Sequence, residues 1–129
     1  MTEVEIKVRY QETDAQGRVY HSNYFVWYDV ARTEYLRQHD CSYKELEKQG
    51  VFFVVTEVKN KYIRGLEFDD LIAVKVALVR VGAASFELEY DVVDKKTNEI
   101  VSKGWTKLAV VDKFGKVIKI PSEILEKIK

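Results

Sequence analysis

An α+β arrangement, with one antiparallel sheet wrapped around one long helix, is what this sequence predicts, and three patterns predict it. At the amino terminus Val4, Ile6, Val8 and Tyr10 alternate with Glu5, Lys7 and Arg9, which is the period of a half-buried strand. From about Ser22 to Arg37 the period becomes helical: Tyr24, Tyr28, Ala31 and Tyr35 share one stripe, with Trp27 at its margin. Beyond Gly50 the chain is rich in Val, Ile and aromatic residues in four runs separated by turn formers.

Each element follows in order. The first strand ends where the stretch TDAQGRVYHSNY, residues 13–24, begins. The long helix comes next. A short helix is signalled in SYKELEKQG, where Ser42 and Glu45 have capping-box spacing and Gly50 can end the helix in a left-handed conformation. Strands are predicted over Phe52 to Tyr62, Leu71 to Val81, Ser85 to Asp94 and Ile100 to Asp112, read as four consecutive antiparallel strands. In the third of these, Phe86, Leu88, Tyr90 and Val92 alternate with Glu87, Glu89 and Asp91. VGAAS and KKTNE supply the hairpin turns, and Pro121 with Ser122 opens a last short helix.

The helix has more apolar surface than one sheet can hide. Phe25 and Leu36 flank the stripe on one side, Val26 and Val30 on the other. Either neighbouring strands of a curved sheet or another subunit must cover them.

Composition narrows the function. At 129 residues the chain fits one domain over 1–129. Lysine plus arginine and aspartate plus glutamate number 21 each, so no net field draws the protein to nucleic acid or an anionic membrane. Cys41 is the only cysteine and the first residues lack a signal peptide's apolar run, which together read as a cytoplasmic protein. No apolar run approaches the ~20 residues of a spanning helix, and Pro121 is the only proline, so no linker divides the chain.

The stretch at 13–24 joins the first strand to the start of the long helix. A helix amino terminus offers unpaired N–H groups and the positive end of a dipole, which suits an oxygen gaining negative charge. Asp14 precedes His21 with Gly17 between them, where a glycine allows a tight turn or close approach of a ligand to the backbone. Taken singly, Asp14 and Gly17 are ordinary turn formers and His21 an ordinary residue at a helix start; taken together, a loop of this kind could hold a carboxylate facing an oxyanion site.

The run VRYQETDAQGRVYHSNYFVWYDVARTEYLR resembles the amino-terminal signature of hotdog-fold acyl-CoA thioesterases of the 4-hydroxybenzoyl-CoA thioesterase type, closest to the Tol-Pal-associated branch. The matching features are Arg9-Tyr10, Thr13-Asp14, Gly17, Val19, His21, Asn23-Tyr24 and Ala31-Arg32-Thr33-Glu34. YIRGLEFDD resembles the family's crossing segment, and GKVIKIPSEI its usual ending; the crossing departs from the family by carrying Gly65-Leu66 where Pro-Ala is usual. The resemblance implies a hotdog fold, active sites between subunits, a homotetramer built as a dimer of dimers, and hydrolysis of an acyl-CoA to free acid and coenzyme A. It implies no metal and no cofactor beyond the coenzyme A of the substrate.

Carried over by position, the resemblance makes Asp14 the catalytic carboxylate, as general base or as nucleophile forming a transient anhydride. His21 supplies the helix-start N–H that binds the thioester carbonyl, and Tyr10 and the His21 side chain take part. Gly17 and Tyr24 are the substrate-binding positions. Tyr10 also continues the strand alternation, which would make it core. Arg64, Arg80, Lys103 and Lys107 are candidate cations for the coenzyme A phosphates, and Phe52, Phe53 and Tyr62 for the walls that set acyl length, with short- to medium-chain or small aromatic groups expected. A dehydratase of the same fold would place its acid on the helix, after the histidine, and a non-catalytic acyl-binding module would not need Asp14.

Overall fold

The computed structural model describes residues 2–129. Strand β1 (Thr2–Lys7) leads into a single 3-10 turn at Tyr10–Glu12; α1 (Asn23–Gln38) and α2 (Tyr43–Lys48) follow. Four strands come next, β2 (Phe52–Tyr62), β3 (Leu71–Val81), β4 (Ser85–Asp94) and β5 (Glu99–Val111), and the chain ends on α3 (Ser122–Ile128). Ser42 Oγ accepts the Glu45 N–H at 3.3 Å at the start of α2, and Gly50 past its end has φ +78°, so both signals for that helix act as their spacing suggests.

The strands form one antiparallel sheet in the order β1-β3-β4-β5-β2. The four strands after α2 are antiparallel as expected, and the hairpins fall at the two predicted turns. β3, β4 and β5 do succeed one another through tight turns, closed by Gly82 N–H to Ser85 C=O at 2.7 Å and Asn98 N–H to Asp94 C=O at 2.7 Å. β2 instead pairs with β5, Phe52 opposite Val111 and Tyr62 opposite Ser102. The reason lies in the segment after Tyr62, which does not turn back. Ile63 and Arg64 donate to the Val101 carbonyl at 2.9 and 3.2 Å, Leu66 is fully buried, and Asp69 pairs with Val8 at 2.9 Å. The segment therefore crosses from one edge of the sheet to the other.

The predicted stripe of α1 is the centre of the core: Tyr24, Trp27, Tyr28, Ala31 and Tyr35 are all buried. Tyr28 stacks on Tyr90 of β4 at 4.4 Å between ring centroids, and its hydroxyl meets Asn60 of β2 and Ser102 of β5. Arg32 is buried on the same helix and donates to the Tyr43 and Tyr90 hydroxyls at 3.3 and 3.1 Å and to Asp29 at 2.6 Å, so its charge is fully engaged. Of the flanks, Leu36 is covered by the protein's own core, while Val26 and Val30 stay about half exposed. The β2 edge also exposes Val54, Val55 and Val58.

Tyr10 is not core. β1 stops at Lys7 and the chain enters the 3-10 turn, which breaks the alternation. The Tyr10 ring is 76% exposed and meets only the Phe68 ring edge-on at 5.6 Å.

Candidate active site

The stretch at 13–24 folds on itself before α1 begins. Asp14 N–H donates to Arg18 C=O at 2.8 Å, Gly17 N–H to Asp14 C=O at 3.0 Å, and Thr13 bridges Val19. Gly17 closes this turn at φ +79°, a conformation that costs L-residues energy, yet a Cβ there would meet nothing within 4 Å. Strain without a clash makes a sharp expectation. Gly17→Val should lower stability by about 1–2 kcal/mol, read as thermal melting, and should lower turnover by tilting Asp14.

Beneath the turn lies Glu12, which sequence patterning does not single out. It is 3% exposed. Its carboxylate accepts the Arg9 N–H at 2.8 Å and the Trp27 indole N–H at 2.7 Å, with the Arg9 guanidinium at 3.3 Å. Its carbonyl receives Tyr20 N–H at 2.9 Å and the Asn23 amide at 2.8 Å, so one residue ties the 3-10 turn, the loop and the first turn of α1 together. The signal that could have found it is Trp27, whose buried N–H requires an acceptor. Burial alone would raise the Glu12 carboxyl, but the Arg9 amide, the Trp27 indole and the Arg9 side chain outweigh burial and hold it below its ordinary 4.5. The unfolded chain thus binds this proton more tightly than the native one. The stabilisation is complete above about pH 4.5 and is lost as pH falls through the lower native value. Glu12→Gln should cost about 2 kcal/mol at neutral pH, and melting curves of the variant should flatten in acid relative to wild type.

The loop faces the crossing segment. Val19 N–H donates to Leu66 C=O at 2.9 Å, and the Tyr62 hydroxyl donates to His21 C=O at 2.9 Å. Between them opens a cleft of about 380 Å³. Asp14, Gln16, Arg18, His21 and Tyr24 line one side, and Tyr62, Ile63, Arg64 and Gly65 the other. Asp14, His21 and Tyr24 are therefore brought together as the motif implies. Gly17 shapes the turn from outside the cleft, and Tyr10 lies away from it.

Three features bear on chemistry. Asp14 acts as a turn former, since its Oδ1 accepts Gln16 N–H at 2.8 Å, and it also lines the cleft with its second oxygen unbonded among the described residues. The His21 and Ser22 amides find no acceptor among the described residues, as expected of a helix start left open for a ligand. Tyr24 packs edge-on against Tyr62 at 5.0 Å between centroids; burial first, and the neighbouring Tyr62 second, push its hydroxyl up to about 12. It stays neutral at physiological pH and can only present its ring and O–H. Together a carboxylate, free N–H donors and an aromatic wall can hold a carbonyl beside a proton acceptor.

The cations proposed from the sequence sort themselves by their partners. Arg64 reaches Asp94 at 2.8 Å and Glu99 at 3.6 Å, Arg80 pairs with Glu87, Lys103 with Asp91 and Lys107 with Glu57. The hydrogen bond from Arg64 holds the Asp94 carboxyl below its usual range. Only Arg64 of these four borders the cleft. Of the aromatic residues expected at the acyl wall, Tyr62 lines it, Phe53 packs on Phe86 in the core at 5.0 Å, and Phe52 borders a separate hollow with Phe114.

Residues 8–128 match the family model described as the thioesterase-like superfamily. The acyl-CoA thioesterase YbgC of Haemophilus influenzae is 34% identical over 122 residues, covering 92% of this chain and 88% of its own. A hypothetical protein from Aquifex aeolicus superposes with TM-score 0.93 at 34% identity, over 98% of both chains. The DHNA-CoA thioesterase of Staphylococcus aureus gives TM-score 0.91 at 29% identity, over 98% of this chain and 89% of its own.

Proposed function

The chain belongs to the thioesterase-like superfamily and has the hotdog fold of acyl-CoA thioester hydrolases, and from that premise we propose that it cleaves acyl-CoA with Asp14 as the catalytic carboxylate. The observation that carries this reading is the cleft shared by Asp14 and His21, whose amide finds no acceptor among the described residues. The thioester carbonyl lies over the start of α1 and accepts the His21 N–H. Water adds to the carbonyl carbon as Asp14 takes its proton, and the tetrahedral oxyanion is held by the N–H groups and the dipole. Collapse expels the coenzyme A thiolate, which takes a proton, and leaves the free acid. Direct attack by Asp14 through an anhydride uses the same atoms, with water entering in the second step.

Tyr62 acts as a positioning residue here, its hydroxyl keeping the His21 carbonyl, and with it the peptide that precedes α1, in place. Coenzyme A enters as part of the substrate, and no other cofactor is assigned. The acyl groups assigned are short- to medium-chain or small aromatic. Within the superfamily the branch proposed is the Tol-Pal-associated one, which the amino-terminal motif supports, and the location proposed is the cytoplasm, which the lone Cys41 supports. No helix among the described residues is long and apolar enough to cross a membrane. Release of free thiol from a panel of short, long and aromatic acyl-CoAs tests the activity; no saturable release from any of them would end the reading.

The assembly proposed is a homotetramer, two dimers packed together. The half-exposed Val26 and Val30 on α1, and Val54, Val55 and Val58 along the unpaired edge of β2, support it. Tyr10, whose exposed ring lies outside this chain's own cleft against Phe68, is then proposed to take part in the site of a neighbouring subunit. Light scattering after size exclusion should give four times the mass of the chain, and a monomer at micromolar concentration would rule the assembly out.

A further inference from the structure

Every other arginine of this chain, Arg9, Arg32, Arg37, Arg64 and Arg80, is paired with a carboxylate. Arg18 makes no ion pair among the described residues, and it lines the cleft that holds Asp14. Its seat is specific. A Cβ at Gly65 would lie 3.0 Å from Arg18 Cδ and 3.6 Å from Cγ and Nε, so the stem of the arginine rests on bare backbone of the crossing segment. Gly65 is one of the positions where this chain departs from the usual Pro-Ala, and its missing side chain is what gives Arg18 its room. A guanidinium held on one side and open on the other presents its N–H fork to a planar oxyanion.

We propose that Arg18, seated on Gly65, is a specificity-determining residue that pairs with a carboxylate or phenolate carried by the acyl group. The proposal rests on the thioesterase reading and deepens it. An acyl-CoA offers oxyanions from two sources, the acyl group and the coenzyme's phosphates. Asp14 N–H donates to Arg18 C=O at 2.8 Å, so the two residues stand opposite each other across one turn. Arg18 and Asp14 also line one cleft, which puts the arginine on the side of the acyl group, whereas the phosphates lie a full pantetheine arm away from the reacting carbon.

The test compares succinyl-CoA with butyryl-CoA, and the same two acyl groups as N-acetylcysteamine thioesters, which carry no phosphate. The wild-type protein should favour the succinyl compound in kcat/KM by about tenfold in both series, the size of one charge-assisted hydrogen bond in a partly exposed site. Arg18→Gln should erase most of that preference in both series and lower the butyryl rates by less than threefold. Gly65→Ala, which displaces the arginine while leaving its charge, should move the preference the same way. A loss confined to the two CoA thioesters, equal for succinyl and butyryl, would assign Arg18 to the phosphates and overturn the proposal. An unchanged ratio in folded Arg18→Gln would overturn it as well, leaving Arg18 a surface or intersubunit cation. Absence of any hydrolysis by the wild-type protein is a separate result: it removes the thioesterase reading, and this proposal with it.

Discussion

Asp14→Asn should remove at least 99% of thioesterase turnover while leaving the melting temperature within a few degrees of wild type. Asparagine keeps the shape of the side chain, and its carbonyl oxygen can still accept the Gln16 N–H that Asp14 Oδ1 accepts at 2.8 Å. The turn therefore survives. What the amide cannot do is take a proton from water at neutral pH or serve as a comparable nucleophile. General-base catalysis is worth ~10²- to 10⁴-fold, or roughly 3–5 kcal/mol of barrier, so a folded variant retaining more than about a tenth of the rate is incompatible with the mechanism. His21→Ala is the informative companion. If the backbone N–H is the main oxyanion donor it persists in the variant, and the loss is milder than for Asp14→Asn. An equal loss would place the imidazole in the chemistry as well.

The second large effect is on stability and lies away from the cleft. Gly104 on β5 is buried directly against α1, and a Cβ there would fall 2.4 Å from Tyr28 Cε2 and 2.5 Å from its Cζ. The ring has nowhere to go. Tyr90 stacks against it, Asn60 and Ser102 hold its hydroxyl, and it is fully buried. Gly104→Ala should cost about 3 kcal/mol, near the upper end for overpacked cores, and lower Tm by roughly 10 °C. A double-mutant cycle isolates the cause: Tyr28→Ala is itself destabilising, but adding Gly104→Ala to it should cost little, because the ring is gone. Additive losses would show that the alanine acts on the strand and not on Tyr28.

Much of this architecture is legible in the residues because it is local. The α1 stripe is a matter of spacing, and the β3-β4-β5 hairpins are closed by turn residues adjacent to the strands they join. The place of β2 is not local. Its partner β5 lies far along the chain, both strands are Val-rich, and nothing in either names the other. At the cleft, Asp14, His21 and Tyr24 are neighbours through one short loop, so a sequence motif suffices to group them. Glu12 is important because of the Trp27 indole above it, and Arg18 because the distant Gly65 lacks a side chain; both are relations between segments that only folding brings together. Tyr10 misleads for the opposite reason, since local alternation runs on past the point where β1 has already ended.

The strand order has a consequence for how the chain must be made. The two strands synthesised first, β1 and β2, are the outer edges of the sheet, and the strands they pair with, β3 and β5, come later. A nascent chain that has just completed the crossing segment thus carries the loop at 13–24, the aromatic stripe of α1 and both outer strands, but none of the central meander that receives them. Its sheet can close only when its last third arrives, because the pairings that close it are long-range and the β4 and β5 surface that buries Tyr28 is not made before then. A truncation from the carboxyl end that reaches β5 removes a central strand of the sheet and leaves β2 without its partner.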